Sequence, residues 1–69
     1  MDIAKKIGEN LKQARKDKGL TQKEVATRLH MTQQQYSRFE NGVFELNYAQ
    51  ILSLCDLYDV TPNELFSLT

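Results

Sequence analysis

The sequence predicts an all-α fold of five short helices around one core, and three observations carry that prediction. First, a Thr or Asn stands three places before a Glu or Gln at Thr21-Glu24, Thr32-Gln35, Asn47-Gln50 and Thr61-Glu64. This is the spacing of a capping box, in which two side chains satisfy the free N–H groups at a helix start. Second, the apolar residues that follow those starts recur at helical spacing. Third, 69 residues make one domain, near the lower size at which a core holds a fold without metal or disulfides, and leave no room for a second.

The first helix is capped by Asp2 and ended by Gly19, which supplies a left-handed residue. Ile3, Ile7 and Leu11 recur every four positions and predict a core-facing stripe whose next member is Arg15. A buried guanidinium needs a carboxylate beside it, and Glu40 is the candidate; the other reading sends the tip of Arg15 out to water. Lys16, Asp17 and Lys18 read as a solvated helix end, and Leu20 as a hydrophobic staple against Val25.

The stretch from Thr21 to Gly42 is the organising one. Its two capping boxes start helices at Gln22 and Gln33, so the chain must turn around Leu29, His30 and Met31, with one short helix before the turn. On the first of the pair, Val25, Ala26 and Leu29 form the apolar face, and the small Ala26 allows a close crossing. At about 100° per residue, Tyr36 and Phe39 fall on one side of the second, and Gln33, Gln34, Ser37 and Arg38 on the other. One side packs and the other looks outward. Glutamine and arginine tips have planar forks that pair bidentately with adenine and guanine in a DNA major groove. The bland reading of such a polar face is plain solvation, and the paired capping boxes with a Glu40-Asn41-Gly42 stop weigh against it.

Asn47 and Gln50 start a fourth helix, in which Ile51, Leu52, Leu54, Cys55, Leu57 and Tyr58 predict a broad apolar surface and the central core helix. Cys55 there reads as a small buried hydrophobe, not a nucleophile or sensor. Asp59-Val60 ends it. Thr61-Pro62-Asn63-Glu64 then combines a cap, a proline at the first helical position and a capping-box glutamate, predicting a last short helix with Leu65 and Phe66. Leu68 is open to two readings, core or dimer contact.

Gln22, Val25, Ala26, Leu29, Thr32, Gln33, Gln34, Tyr36, Phe39 and Glu40-Asn41-Gly42 together resemble the helix-turn-helix of the phage repressor and Cro family, the xenobiotic-response-element regulators of bacteria. The likeness covers nearly the whole chain. It implies a lambda-repressor-like DNA-binding domain in which Gln33, Gln34 and Arg38, with Ser37 on the same face, approach base edges. It further implies that Gln22, Thr32 and Asn41 hold phosphates of double-stranded DNA, that Arg15 pairs with Glu40, and that the protein is a repressor acting as a homodimer on a palindromic site, half-sites about one helical turn apart. A lone copy this small reads too few base pairs for useful specificity.

Two departures from the family pattern stand out. His30 occupies a turn position where the family usually has glycine at positive φ; histidine tolerates that conformation at some strain. With no second histidine and no nearby cysteine, His30 reads as a turn residue and not as a metal ligand or proton carrier. The loop Val43-Phe44-Glu45-Leu46 is apolar and acidic where relatives often carry Lys or Arg, so Val43, Phe44 and Leu46 read either as a cover for the core or as the rim of a dimer or partner interface.

Charge and composition bound the function. The net charge is zero, which by itself counts against a nucleic-acid partner. The distribution answers part of that: residues 1–38 hold all nine bases against four acids, a net of +5, and the remainder holds five acids and no base, a net of −5. A single cysteine forms no internal disulfide, and no apolar run is long enough to span a bilayer; a cytoplasmic protein follows, with no membrane association. No His, Cys or carboxylate constellation and no phosphate-cradling glycine loop points to an enzyme, and no metal, cofactor or small-molecule ligand is expected. The competing expectation is a protein-interaction module on the same scaffold, an antitoxin, co-activator or adaptor, with Val43, Phe44 and Leu46 as its contact patch and little DNA affinity of its own.

Overall fold

A computed structural model describes residues 2–67, so the expectation for Leu68 lies outside the described residues. Among them the chain forms five helices: α1 (Ile3–Asp17), α2 (Gln22–Arg28), α3 (Gln33–Glu40), α4 (Tyr48–Tyr58) and α5 (Pro62–Leu65).

The starts are local chemistry. Lys5 N–H donates to Asp2 Oδ1 at 3.0 Å ahead of α1. Thr21, Thr32, Asn47 and Thr61 each accept a backbone N–H from the residue three ahead, whose side chain accepts the cap's own N–H in return. Four reciprocal boxes thus occupy donors that a helix start would otherwise leave open.

The ends of α1 to α4 share one geometry. Gly19, His30, Gly42 and Asp59 take left-handed φ values of 70°, 57°, 73° and 55°. The next N–H then reaches back across each turn, from Leu20 to Arg15 O at 3.1 Å, Met31 to Ala26 O at 3.0 Å, Val43 to Arg38 O at 2.9 Å and Val60 to Cys55 O at 3.0 Å. This is the Schellman closure. His30 adopts the positive φ that its position predicts, and Asp59 does the same where the sequence marks only a helix end. A left-handed residue other than glycine costs roughly 1–2 kcal/mol, which the two backbone bonds of each closure help offset.

Leu11, Val25, Ala26, Tyr36, Phe39, Leu54, Cys55, Tyr58 and Leu65 form the buried core, with Ile7, Leu20, Leu29, Leu46, Ile51 and Leu57 packed around it. Two predicted core residues are not in it. Ile3 is 55 % exposed and Leu52 63 % exposed. Ile3 belongs to the first turn of α1 and only edges an apolar cleft with Phe44 and Phe66. On α4 the positions 51, 54, 55 and 58 already make a stripe one helix face wide, so Leu52 is turned off it.

One close helix crossing is at a residue the sequence did not single out. Gly8 is buried in α1, and a Cβ there would collide with the backbone carbonyls of Glu40 and Phe39, coming within 2.6 Å of the latter's oxygen. The end of α3 therefore lies directly on α1. Asn10, two residues on, donates to the carbonyls of Leu65 at 2.9 Å and Ser67 at 2.8 Å, pinning the open end of α5 and the chain just beyond it.

Candidate functional site

Glu40 is the anchor from which the outward face is positioned. It is 5 % exposed, and three groups converge on its carboxylate: Arg15 Nε donates to Oε2 at 2.7 Å, Arg15 Nη2 to Oε1 at 3.2 Å and Gln22 Nε2 to Oε1 at 3.0 Å. Arg15 Nη1 also donates to the Leu20 carbonyl at 2.9 Å, so the guanidinium spans α1, the turn and α3. The Arg15 side chain is 12 % exposed, and its tip is turned onto Glu40 and the Leu20 carbonyl and not out to water. Burial pushes the Glu40 carboxyl up, but hydrogen bonds from Arg15, Tyr36 and Gln22 outweigh it and hold the group below the usual carboxylate range. The Tyr36 hydroxyl meets that of Tyr58 on α4. Burial pushes the Tyr36 phenol well up and that of Tyr58 to about 12, so both stay protonated and able to donate. Among the described residues no buried side-chain polar atom lacks a partner.

This network decides where Gln22 stands. Tied to Glu40 through one amide proton, Gln22 joins Gln33, Gln34, Ser37 and Arg38 around one shallow concavity. Gln33, Gln34 and Arg38 are exposed there, Ser37 half-buried. Opposite them on the same helix, Tyr36 and Phe39 are buried. The result is a polar face carrying amide and guanidinium forks, backed by the core.

The residues expected at phosphates divide. Gln22 has its second amide proton free of Glu40. The Thr32 hydroxyl accepts the Gln35 N–H at 3.1 Å, and its backbone N–H is taken by Gln35 Oε1, which leaves the hydroxyl proton as the donor available to a ligand. Asn41 donates its amide to Ser37 Oγ at 3.3 Å, so these two polar groups support one another at the end of α3.

The turn after α3 adds two residues that sequence reasoning did not assign to this site. A Cβ on Gly42 would lie 2.5 Å from Lys5 Cα, so Lys5 of α1 sits against the Asn41-Gly42 turn. No sequence signal links those positions. Beyond the turn, the Arg38 guanidinium carbon stands 5.4 Å from the centroid of the Phe44 ring. The aromatic residue just past the Glu-Asn-Gly stop is the available signal, and along the sequence it reads only as core cover or interface rim. The three loop residues in fact differ: Leu46 packs against the core, Phe44 lies beneath Arg38 and edges the apolar cleft, and Val43 is 63 % exposed.

Among the described residues no group of three or more His, Cys, Asp or Glu is placed to hold a metal, and no helix is long and apolar enough to cross a membrane. The free thiol of Cys55 is buried in the core.

Residues 11–65 match a protein family described as helix-turn-helix. The chain is 38 % identical to the uncharacterized HTH-type transcriptional regulator YqaE of Bacillus subtilis, over 86 % of this chain and 51 % of that protein. It is also 38 % identical to the uncharacterized HTH-type transcriptional regulator y4dJ of Sinorhizobium fredii, over 93 % of this chain and 91 % of that protein. It thus spans about half the length of the first relative and nearly all of the second. No solved structure matches it.

Proposed function

We propose, from the premise that this chain belongs to the Cro/C1-type helix-turn-helix family of DNA-binding transcription regulators, that it is a cytoplasmic repressor which binds a palindromic operator as a homodimer with α3 in the major groove. The observation that carries this is the two-sided third helix. Tyr36 and Phe39 fix its inner side in the core, while Gln33, Gln34, Ser37 and Arg38 share the outer side with Gln22.

In this reading the two kinds of contact have separate jobs. Gln33, Gln34 and Arg38 read base edges, the amides facing adenine and the guanidinium facing guanine, with Ser37 between them. Gln22, Thr32 and Asn41 hold the backbone. Gln22 enters the groove wall already oriented by Glu40, so little of its side-chain freedom is lost on binding. The body measures 29 × 23 × 21 Å, small enough for two copies to sit side by side on half-sites ~34 Å apart on one face of a duplex.

The test separates the two jobs. Arg38→Ala costs about 1–3 kcal/mol on the selected operator and relaxes preference at one base pair. Gln22→Ala weakens operator and scrambled DNA alike. Titrations of both variants against both duplexes read this out, and an even loss from both variants on both DNAs refutes the division.

A second reading, a protein-interaction module, draws on the exposure of Val43, Tyr48 and Leu52 and on the zero net charge. Binding to random duplex at several salt concentrations discriminates: neutralised phosphates give a negative slope of log K on log salt, whereas the interaction module gives no binding at any salt.

A further inference from the structure

We propose that Phe44 is the positioning residue for base reading by Arg38: its ring carries the guanidinium in place before DNA arrives and so sharpens the preference for guanine at the base pair Arg38 meets. The proposal rests on the reading of α3 as the base-reading helix.

The geometry has three parts. The Arg38 guanidinium carbon is 5.4 Å from the Phe44 centroid, within the ~6 Å over which a cation is drawn to a ring face. Ring and arginine also flank one hydrogen-bonded turn: Gly42 at a φ of 73° reverses the chain, and Val43 N–H returns to the carbonyl of Arg38 itself at 2.9 Å. Phe44, 47 % exposed, also lines the cleft that Phe39, Leu46 and Ile51 line, next to the core as well as under the arginine.

Recognition chemistry supplies the rest. A guanidinium reads guanine through the N–H donors along its edge, directed in its own plane at O6 and N7. A carboxylate partner would occupy those same donors and would have to be displaced. A ring attracts the positive charge without claiming the donor fork. Among the described residues no carboxylate pairs with Arg38, so the charge is steadied while the donors stay available. An exposed arginine otherwise loses rotamer freedom when it docks, and holding it beforehand removes part of that loss.

The test is a double-mutant cycle on the operator selected from a random DNA pool. Affinity is measured for that operator and for the same duplex with the Arg38 base pair replaced, using wild type, Phe44→Leu, Phe44→Tyr, Arg38→Ala and the Phe44→Leu/Arg38→Ala double variant. The expected result is a roughly two- to fivefold fall in discrimination at that base pair for Phe44→Leu, the size of an exposed cation–ring contact. Phe44→Tyr retains the discrimination, and Phe44→Leu adds nothing once Arg38 is alanine. In the free protein, the Arg38 side-chain protons carry a ring-current shift that Phe44→Leu removes.

An even loss across all duplexes, or the same loss in the Arg38→Ala background, overturns the positioning role while leaving base reading by α3 intact. If Arg38→Ala leaves discrimination unchanged at every base pair, Arg38 reads no base, and both the underlying reading and this proposal fall. Melting temperatures of the variants separate any general loss of fold from these outcomes.

Discussion

At Glu40 one carboxylate serves three helices, and its protonation state is therefore a stability switch. Its hydrogen bonds from Arg15, Tyr36 and Gln22 overcome burial and hold its pKa below the 4.5 of a free glutamate. A group depressed in the folded state stabilises fully above its unfolded pKa, and that contribution drains away as pH falls through the lower folded value. The domain accordingly loses stability as pH drops below about 4.5, an acid limb that urea unfolding at successive pH values will display. Glu40→Gln flattens that limb. It also costs about 3 kcal/mol at neutral pH, because the buried Arg15 guanidinium then lacks its counter-charge. An acid limb of equal depth in wild type and variant refutes the assignment to Glu40. The need of Arg15 for a carboxylate was legible from the stripe it continues. That Gln22 shares the same carboxylate was not, because the sequence shows what Gln22 can bond but not which acceptor lies within reach.

Among the elements, starts and stops were open to reading and crossings were not. A capping box needs only four consecutive residues, so all four of them stood in the sequence where they stand in the structure. A helix crossing needs two distant segments, and Gly8 looks like any other glycine until α3 is laid across it. The carbonyls of Phe39 and Glu40 are backbone atoms that cannot step aside. Gly8→Ala therefore lowers stability by about 1–3 kcal/mol, the range for forcing atoms into a packed interior, despite the better helix propensity of alanine. A thermal melt measures it, and an unchanged or higher melting temperature would show that α1 and α3 have room to part. The same limit explains Ile3 and Leu52. Both fit an apolar pattern, but a pattern has no edge until the neighbouring helices cover one part of it.

For the whole molecule, the charge asymmetry matters more than the zero total. The nine bases all precede residue 39, in the part of the chain that holds α1, α2 and most of α3. The polar face thus belongs to the basic part of the chain, although Arg15 is internally spent on Glu40. Two linked copies gain from binding twice, since the second contact is intramolecular once the first is made. We predict that a palindromic duplex binds about 100-fold tighter than one with a single half-site. Inserting roughly five base pairs between half-sites turns them to opposite faces and removes the gain. Equal affinity for single and paired half-sites would mean that the chain reads DNA as a monomer.

By itself the sequence determined the five helices, their caps and the sidedness of the third, because each depends on residues within one or two turns of one another. It also carried the helix-turn-helix resemblance through the types and spacing of Gln22 to Gly42. Only the tertiary structure decided the rest: which glycine lets the helices touch, that Gln22 shares the carboxylate of Glu40, and that Phe44 lies under Arg38. Those facts depend on where separate segments come to rest against one another. A hydrogen bond or a stacked ring is settled within a few ångströms, finer than any pattern along the chain can specify.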